Sequence, residues 1–384
     1  MRATTIGEIA DIFDGPHATP ERTTVGPYFL NIASLNNGRL DLAQSDHVSN
    51  DDFNKWTRRV VPTSGDLLFS YETRLGEAAL MPAGVSACLG RRMGLLRFDR
   101  TKVDPRYFLY YFLSPAFKAI IESRTIHGAT VNRIPLSTMG DWKIQLPPLT
   151  VQFGMAEVLT ALDDKIAANR KLVEIANELS QAVFRRMLND SESLSLSSTA
   201  QFVNGKAFTK GASGTGRVVV RIAELNSGIG GSTVFSDIDV EDQYLARPGD
   251  ILFAWSGSLT LHRWFREEAI VNQHIFKVIP HEQFPDWLVY RLIEHKLPYY
   301  KEVAADKATT MGHIQRKHLD EPVEVPSRTQ IVENANLMSA LWKRMLIAEQ
   351  ESEKLSVLRD TLLPRLMSGE LRVKDAEAVA ADAV

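Results

Sequence analysis

Two stretches of the chain carry apolar residues in alternating steps of three and four. From Thr150 to Leu188 there is no proline, and the apolar series is Leu159, Leu162, Ile166, Val173, Ala176, Val183 and Met187, interrupted by Asn169 and Ser180. The second series is Met338, Leu341, Met345, Ala348, Leu355, Leu362 and Leu366, interrupted by Ser352 and Arg359. Such spacing makes an apolar seam along a helix, and a seam needs a partner. Thr150 and Thr329, at the ends of "QLPPLT" and "EVPSRT", are candidate N-caps. Each helix of about 38 residues would run roughly 55 Å at 1.5 Å per residue. Antiparallel pairing would bury both seams and place the two globular parts at opposite ends. The polar interruptions either fix the register or leave a face free for another protein.

The segments before each helix have a different pattern. Short β-branched and aromatic runs ("GDLLFSY", "GRVVVRI", "IVNQHIFKVI") are punctuated by Gly, Asn, Asp and Pro, which predicts strands in a mixed α/β unit. One amphipathic helix is predicted in each segment, at 105–123 and 285–304.

These segments repeat one another. "PTSGDLLFSYETRLG" (62–76) matches "ARPGDILFAWSGSLT" (246–260) at an offset of 184. "FLNIASLNNG" (29–38) matches "VVRIAELNSG" (219–228) at 190, and "RYFLYYFLS" (106–114) matches "DWLVYRLIE" (286–294) at 180. "GATVNRIPLSTMGDWKIQLPP" (128–148) and "EVLTALDDKI" (157–166) match "KATTMGHIQRKHLDEPVEVPS" (307–327) and "NLMSALWKRM" (336–345) at about 179. An offset that drifts smoothly from 190 to 179 is that of a duplication with loop-length changes. The fold class expected is an α/β (α+β) tandem repeat: two globular domains joined by two long antiparallel coiled-coil helices with pseudo-twofold symmetry. The boundaries are 1–149, helix 150–189, 190–328, helix 329–373 and a disordered tail 374–384.

Composition narrows the function. At 384 residues, 44% hydrophobic and 24% charged, the chain reads as an ordinary globular protein of two or three domains. The start, "MRATTIGEIADIF", has no apolar signal region, and no window suits a membrane span, so a cytoplasmic location is expected. The single cysteine, Cys88, excludes an internal disulfide framework and a Cys-based zinc site. Net charge is −3. Residues 1–150 hold 17 basic and 15 acidic side chains, and residues 191–328 hold 15 and 17, so neither part has the basic excess of a protein that grips a polyanion unaided. If nucleic acid is the ligand, a partner supplies much of the phosphate affinity.

With these phrases assembled, the chain resembles the specificity subunit of type I restriction-modification systems. The carrying phrases are "PGDILFAWSGSL" (248–259), "IVNQHIFKV" (270–278), "QLPPLTVQ…LTALDDKIAANRKL" (145–172) and "LLPRLMSGEL" (362–371). The first copy departs from the pattern, having "GRR" (90–92) where the second has "NQH" (272–274). The resemblance implies two target-recognition domains, each reading one half of a bipartite double-stranded DNA site through the major groove, with spacer helices fixing the gap. It implies no catalysis by this chain and no cofactor bound to it. It further implies that two methyltransferase subunits dock on the helices and carry S-adenosylmethionine to methylate adenine, and that restriction (motor-nuclease) subunits carry ATP and Mg. Because the two copies differ, the half-sites should differ and the whole site be asymmetric, spaced by the protein's own geometry. An orphan or decoy coiled-coil protein without DNA binding, or a self-sufficient restriction enzyme, are the alternatives.

The residues offer little for catalysis. "GIGGST" (228–233) reads as a turn. Asp286, Glu294 and Lys296 mimic a nuclease metal site, but Trp287, Leu288, Tyr290, Arg291 and Leu292 mark that segment as a helix face. No metal site is expected.

Base readout uses Arg and Lys for guanine, Asn and Gln for adenine, and Ser and Thr as adaptable partners. In the first copy the candidates are Arg91 and Arg92, then Tyr71 and Arg74, then Thr130, Asn132 and Arg133 of "GATVNR". In the second copy they are Gln273 and His274, then Ser256, Ser258, His262 and Arg263, and Lys307, Thr309, Thr310 and His313 of "KATTMGH". Lys206 and Lys210 of "GKAFTKG" are expected to position the protein on phosphates.

Overall fold

The computed structural model describes residues 1–16, 19–128, 131–306 and 312–382. The chain divides into two units: residues 1–165 with 355–384, and residues 166–354. The division falls within both long helices, Leu149–Met187 and Arg328–Ser368.

The first unit is built on a four-stranded antiparallel sheet in the order Ala10–Asp14, Met93–Phe98, Leu67–Ser70, Ala78–Leu80. The second unit has the same sheet in the same order: Ala200–Asn204, Ile275–Pro280, Ile251–Ala254, Thr260–Arg263. In each, a two-stranded ribbon closes the base, Arg2–Thr5 on Lys143–Leu146 and Ser191–Ser195 on Pro322–Pro326. A further sheet in each contains one parallel pair, Thr23–Leu30 with Ala87–Leu89 and Arg217–Val220 with Ala269–Val271. The tandem α/β repeat expected from the sequence is therefore the fold. Strands such as Leu67–Ser70 and Ile251–Ala254 are buried throughout because both sheet faces are covered, which explains their unbroken apolar runs.

The helix expected at 105–123 is instead two, Pro105–Leu113 and Pro115–Arg124. The break falls at Ser114, because a residue before proline is driven out of the helical region. Its hydroxyl accepts from the Phe117 N–H at 3.3 Å and starts the next helix. The equivalent segment of the second unit stays one helix, Asp286–Asp306, with Pro298 inside it. Glu294 there pairs with Arg291, and Lys296 lies on the Pro322 carbonyl, so the apparent nuclease motif is a helix face.

Both seams are buried. In the first unit Leu159, Leu162, Leu355, Leu362 and Leu366 are each at most 2% exposed. In the second unit the pairing runs antiparallel: Asn169 donates to the Glu351 carboxylate at 2.6 Å, and further along Ser180 meets Met338. Asn169 and Ser180 are themselves buried, so these interruptions lie inside the seam. The helix starts differ from expectation. Leu149 and Arg328 begin the helices, leaving Thr150 and Thr329 inside the first turn, and Ser327 accepts from the Gln330 N–H. The tail is also corrected. Val373–Ala381 form a helix with Ala376 buried, and Val373 packs where Gly154 presents no side chain. Among the described residues, no helix is long and apolar enough to cross a membrane.

Candidate nucleic-acid interface

In each unit, loops converge at one end of the four-stranded sheet. In the second unit the hub is Trp255, which directly follows the strand Ile251–Ala254. Its backbone N–H donates to the His274 carbonyl at 3.1 Å, and its carbonyl accepts from the Ile314 N–H at 3.1 Å. Its indole N–H donates to the Asn204 side chain at 2.7 Å, and its ring lies 5.1 Å from that of His274 and 6.4 Å from that of His313. The loop from Gly205 is tied to the same place. The Gln273 N–H donates to the Lys206 carbonyl at 2.9 Å, and the buried Asn272 side chain accepts from the Phe208 N–H at 3.1 Å.

The first unit repeats this frame around Tyr71. The Tyr71 N–H donates to the Arg92 carbonyl at 3.2 Å, and the Tyr71 carbonyl accepts from the Ile134 N–H at 2.8 Å. Its phenol is hydrogen-bonded to Asp14, the position matching Asn204. Burial first, and the Asp14 carboxylate next, push that phenol above its ordinary range. Glu72 bridges to Arg133 through the backbone as Ser256 does to His313. The frame is therefore common to both units, and its side chains are not.

The turns that follow Leu89 and Val271 show the same identity at finer scale. Arg92 and His274 occupy matching places with φ of 71° and 73°, in the left-handed region that few side chains adopt. The first residue of each turn differs. A Cβ at Gly90 would stand 2.1 Å from the Leu30 carbonyl oxygen, so only glycine fits there, whereas Asn272 uses its side chain to hold the Lys206–Lys210 loop. The middle residues, Arg91 and Gln273, are exposed at the tip. Neither side chain has a partner among the described residues.

The sequence candidates divide accordingly. Arg91, Arg92 and Arg133 gather around Tyr71, with Asn132 preceding Arg133 in the chain, and Lys206, Ser256, Gln273, His274 and His313 gather around Trp255. Arg92 lies 2.9 Å from the Glu72 carboxylate, an ion pair whose geometry falls short of a hydrogen bond. Lys206 lies 4.4 Å over the Tyr244 ring and 3.7 Å from Glu241, while Lys210 is exposed. Ser258 is bonded to Asn226 at 3.0 Å. Thr130, Lys307, Thr309 and Thr310 lie outside the described residues.

Five candidates are buried or engaged within their own unit. Tyr71 is buried and supports the loops from beneath, and Ser256 is likewise buried under them. Arg74 turns back onto the Ile32 and Leu35 carbonyls and the Glu77 carboxylate. Arg263, at the far end of the strand Thr260–Arg263, pairs with Glu349 at 2.8 Å and lies 4.5 Å over Trp342, fastening the sheet to the second long helix. His262 has its Nε2 buried without a hydrogen-bond partner among the described residues, and burial holds its pKa below the ordinary imidazole value. Asp14, Glu72, Asn204 and Trp255 were not anticipated. The signal for Trp255 is its alignment with Tyr71 in "FSYE" and "FAWS".

This arrangement is a duplicated module, two copies of one loop-bearing frame, each packed on portions of the long helices. Residues 3–177 match the family model described as "Type I restriction modification DNA specificity domain". The chain is 25% identical over 196 residues to the putative type I restriction enzyme MjaX specificity subunit of Methanocaldococcus jannaschii, and 25% identical over 187 residues to the type I restriction enzyme MjaVIII specificity subunit of the same organism. Each match spans 47% of this chain and 44% of the relative, less than half the length of either. In fold it is similar to the crystal structure of a type I restriction-modification system S subunit from M. genitalium, with a TM-score of 0.63 at 16% identity over 95% of both chains. The chain is thus similar to type I restriction-modification specificity subunits in sequence over part of its length, and in fold over nearly all of it.

Proposed function

We propose that the chain is the sequence-specific DNA-binding subunit of a type I restriction-modification complex. Each unit reads one half of a bipartite, asymmetric duplex site with its loop cluster. Methyltransferase subunits dock on the paired long helices and bring S-adenosylmethionine, and restriction subunits bring ATP and Mg, so this chain holds no cofactor. The observation that supports this most is the matched turn: identical backbone placement at Arg92 and His274, with different exposed side chains beside them. A shared frame with divergent tips is what two readers of different sequences require, because base edges are read by side chains and position is set by the backbone.

Band-shift titration of the chain with its methyltransferase subunits, on genomic duplex fragments in the presence of excess unrelated duplex, tests the proposal. Retention of a subset of fragments that share a two-part motif is expected. Equal retention of every fragment would contradict it.

A further inference from the structure

The two turns carry one consequence that rests on the DNA-reading proposal and extends it to base identity. Arg91 and Gln273 are the same position in two copies of one frame. The backbone that follows each is fixed in the same way: the next residue is left-handed in both, and its carbonyl accepts from Tyr71 or Trp255 at 3.2 and 3.1 Å. Both side chains are exposed at the tip, and neither is engaged by another among the described residues. Their neighbours are engaged: Arg92 by Glu72, Asn272 by Phe208, and His274 by the Trp255 ring. The tip is therefore where each unit offers an uncommitted hydrogen-bonding group.

The chemistry of the two tips differs in a way that base edges distinguish. A guanidinium presents paired donors that match the O6 and N7 acceptors of guanine. A carboxamide presents one donor and one acceptor, which match N7 and N6 of adenine. We infer that Arg91 and Gln273 are the equivalent specificity-determining residues of the two units, Arg91 selecting a guanine in one half-site and Gln273 an adenine in the other. The frame itself shows that the position accepts either residue, so exchanging them should not disturb the fold.

The test uses the full chain in complex with its methyltransferase subunits and a pool of randomised duplex DNA, with the bound fraction sequenced. In Arg91→Gln, one position of one half-site should change from guanine to adenine while the other half keeps its sequence. Gln273→Arg should make the opposite change in the other half. Discrimination at the altered position should move by roughly 5- to 100-fold, the range for a bidentate base contact. An unchanged motif in both variants would overturn the inference. So would uniform weakening of a half-site without a change of base, which is the behaviour of a phosphate contact. Each variant tests the exchange in a separate unit, so misfolding of one, detected by circular dichroism, leaves the other decisive. A wild-type complex that selects no motif at all would refute DNA reading itself, and that outcome does not depend on either substitution.

Discussion

At five matched places the loop cluster of the first unit carries carboxylates and guanidinium groups where that of the second carries amides, a hydroxyl and imidazoles. Asp14, Glu72, Arg91, Arg92 and Arg133 stand in the first at the places held by Asn204, Ser256, Gln273, His274 and His313 in the second. The supporting bonds also differ in kind, a phenol on a carboxylate against an indole on an amide. The backbone bonds of Tyr71 and Trp255 beneath do not differ in partner. A duplicated module has kept its frame and exchanged its surface, and the difference separates the residues that build the frame from those it leaves at its tips. The same division holds where each unit grips its long helices. In the first, Asp163 accepts from Tyr110 at 2.7 Å and from Arg359 at 2.6 Å. In the second, the matching Trp342 packs on Tyr290 and Arg263.

The largest effect should come from breaking the second unit's own anchor. Arg291 is 2% exposed and is bonded to Ser180, Asn177 and Glu294, whereas the matching residue in the first unit is the aromatic Tyr111. Arg291→Ala should cost about 3–5 kcal/mol, the toll of leaving buried partners unpaired. Urea unfolding with hydrogen exchange should place that loss in the second unit, and Arg291→Met should recover part of it.

Gly90→Ala should follow, costing about 1–3 kcal/mol by overpacking against the Leu30 carbonyl. The matching Asn272→Ala removes one bond to Phe208 and should cost about 1 kcal/mol. Thermal melts of the two variants compare the turns directly, and equal losses would erase the distinction between them.

Acid should separate the units further. Burial lowers the His262 pKa, so the folded state favours the neutral ring. Its contribution is present above the ordinary imidazole value and is lost as pH falls through the lowered folded value. Ala79, opposite Leu68 as His262 is opposite Leu252, holds that place in the first unit and cannot titrate. Hydrogen exchange at pH 5.5 against 7.5 should show the second unit loosening first, and His262→Phe should abolish the difference. The smallest effect belongs to Lys210→Ala. It should weaken binding to all sequences alike and reduce the salt-dependence slope by about one.

Much of this was legible in the sequence, for definable reasons. A duplication is visible because apolar strands and seams tolerate few changes, which is why "GDLLFSY" and "GDILFAW" still align. The seams were readable because helical spacing is local. The tips were readable because "GRR" against "NQH" marks a departure within a conserved frame. Long-range partnerships were not readable. Arg263 looked like a base reader until its carboxylate partner, 86 residues away, was known. Tyr71 reads as a candidate contact in sequence because a phenol suits a binding surface as well as a buried place beside Asp14. The helix break at Ser114 was local, and the proline that follows it was the overlooked signal.

The central claim is that one frame presents two different readers. Its most direct test is sequencing of host DNA for N6-methyladenine after the chain is co-expressed with its methyltransferase subunit. The account predicts methylation at an asymmetric two-part motif with a fixed gap, in which Arg91→Ala relaxes one half and Gln273→Ala the other. A single continuous motif, or relaxation of both halves by either variant, would contradict it.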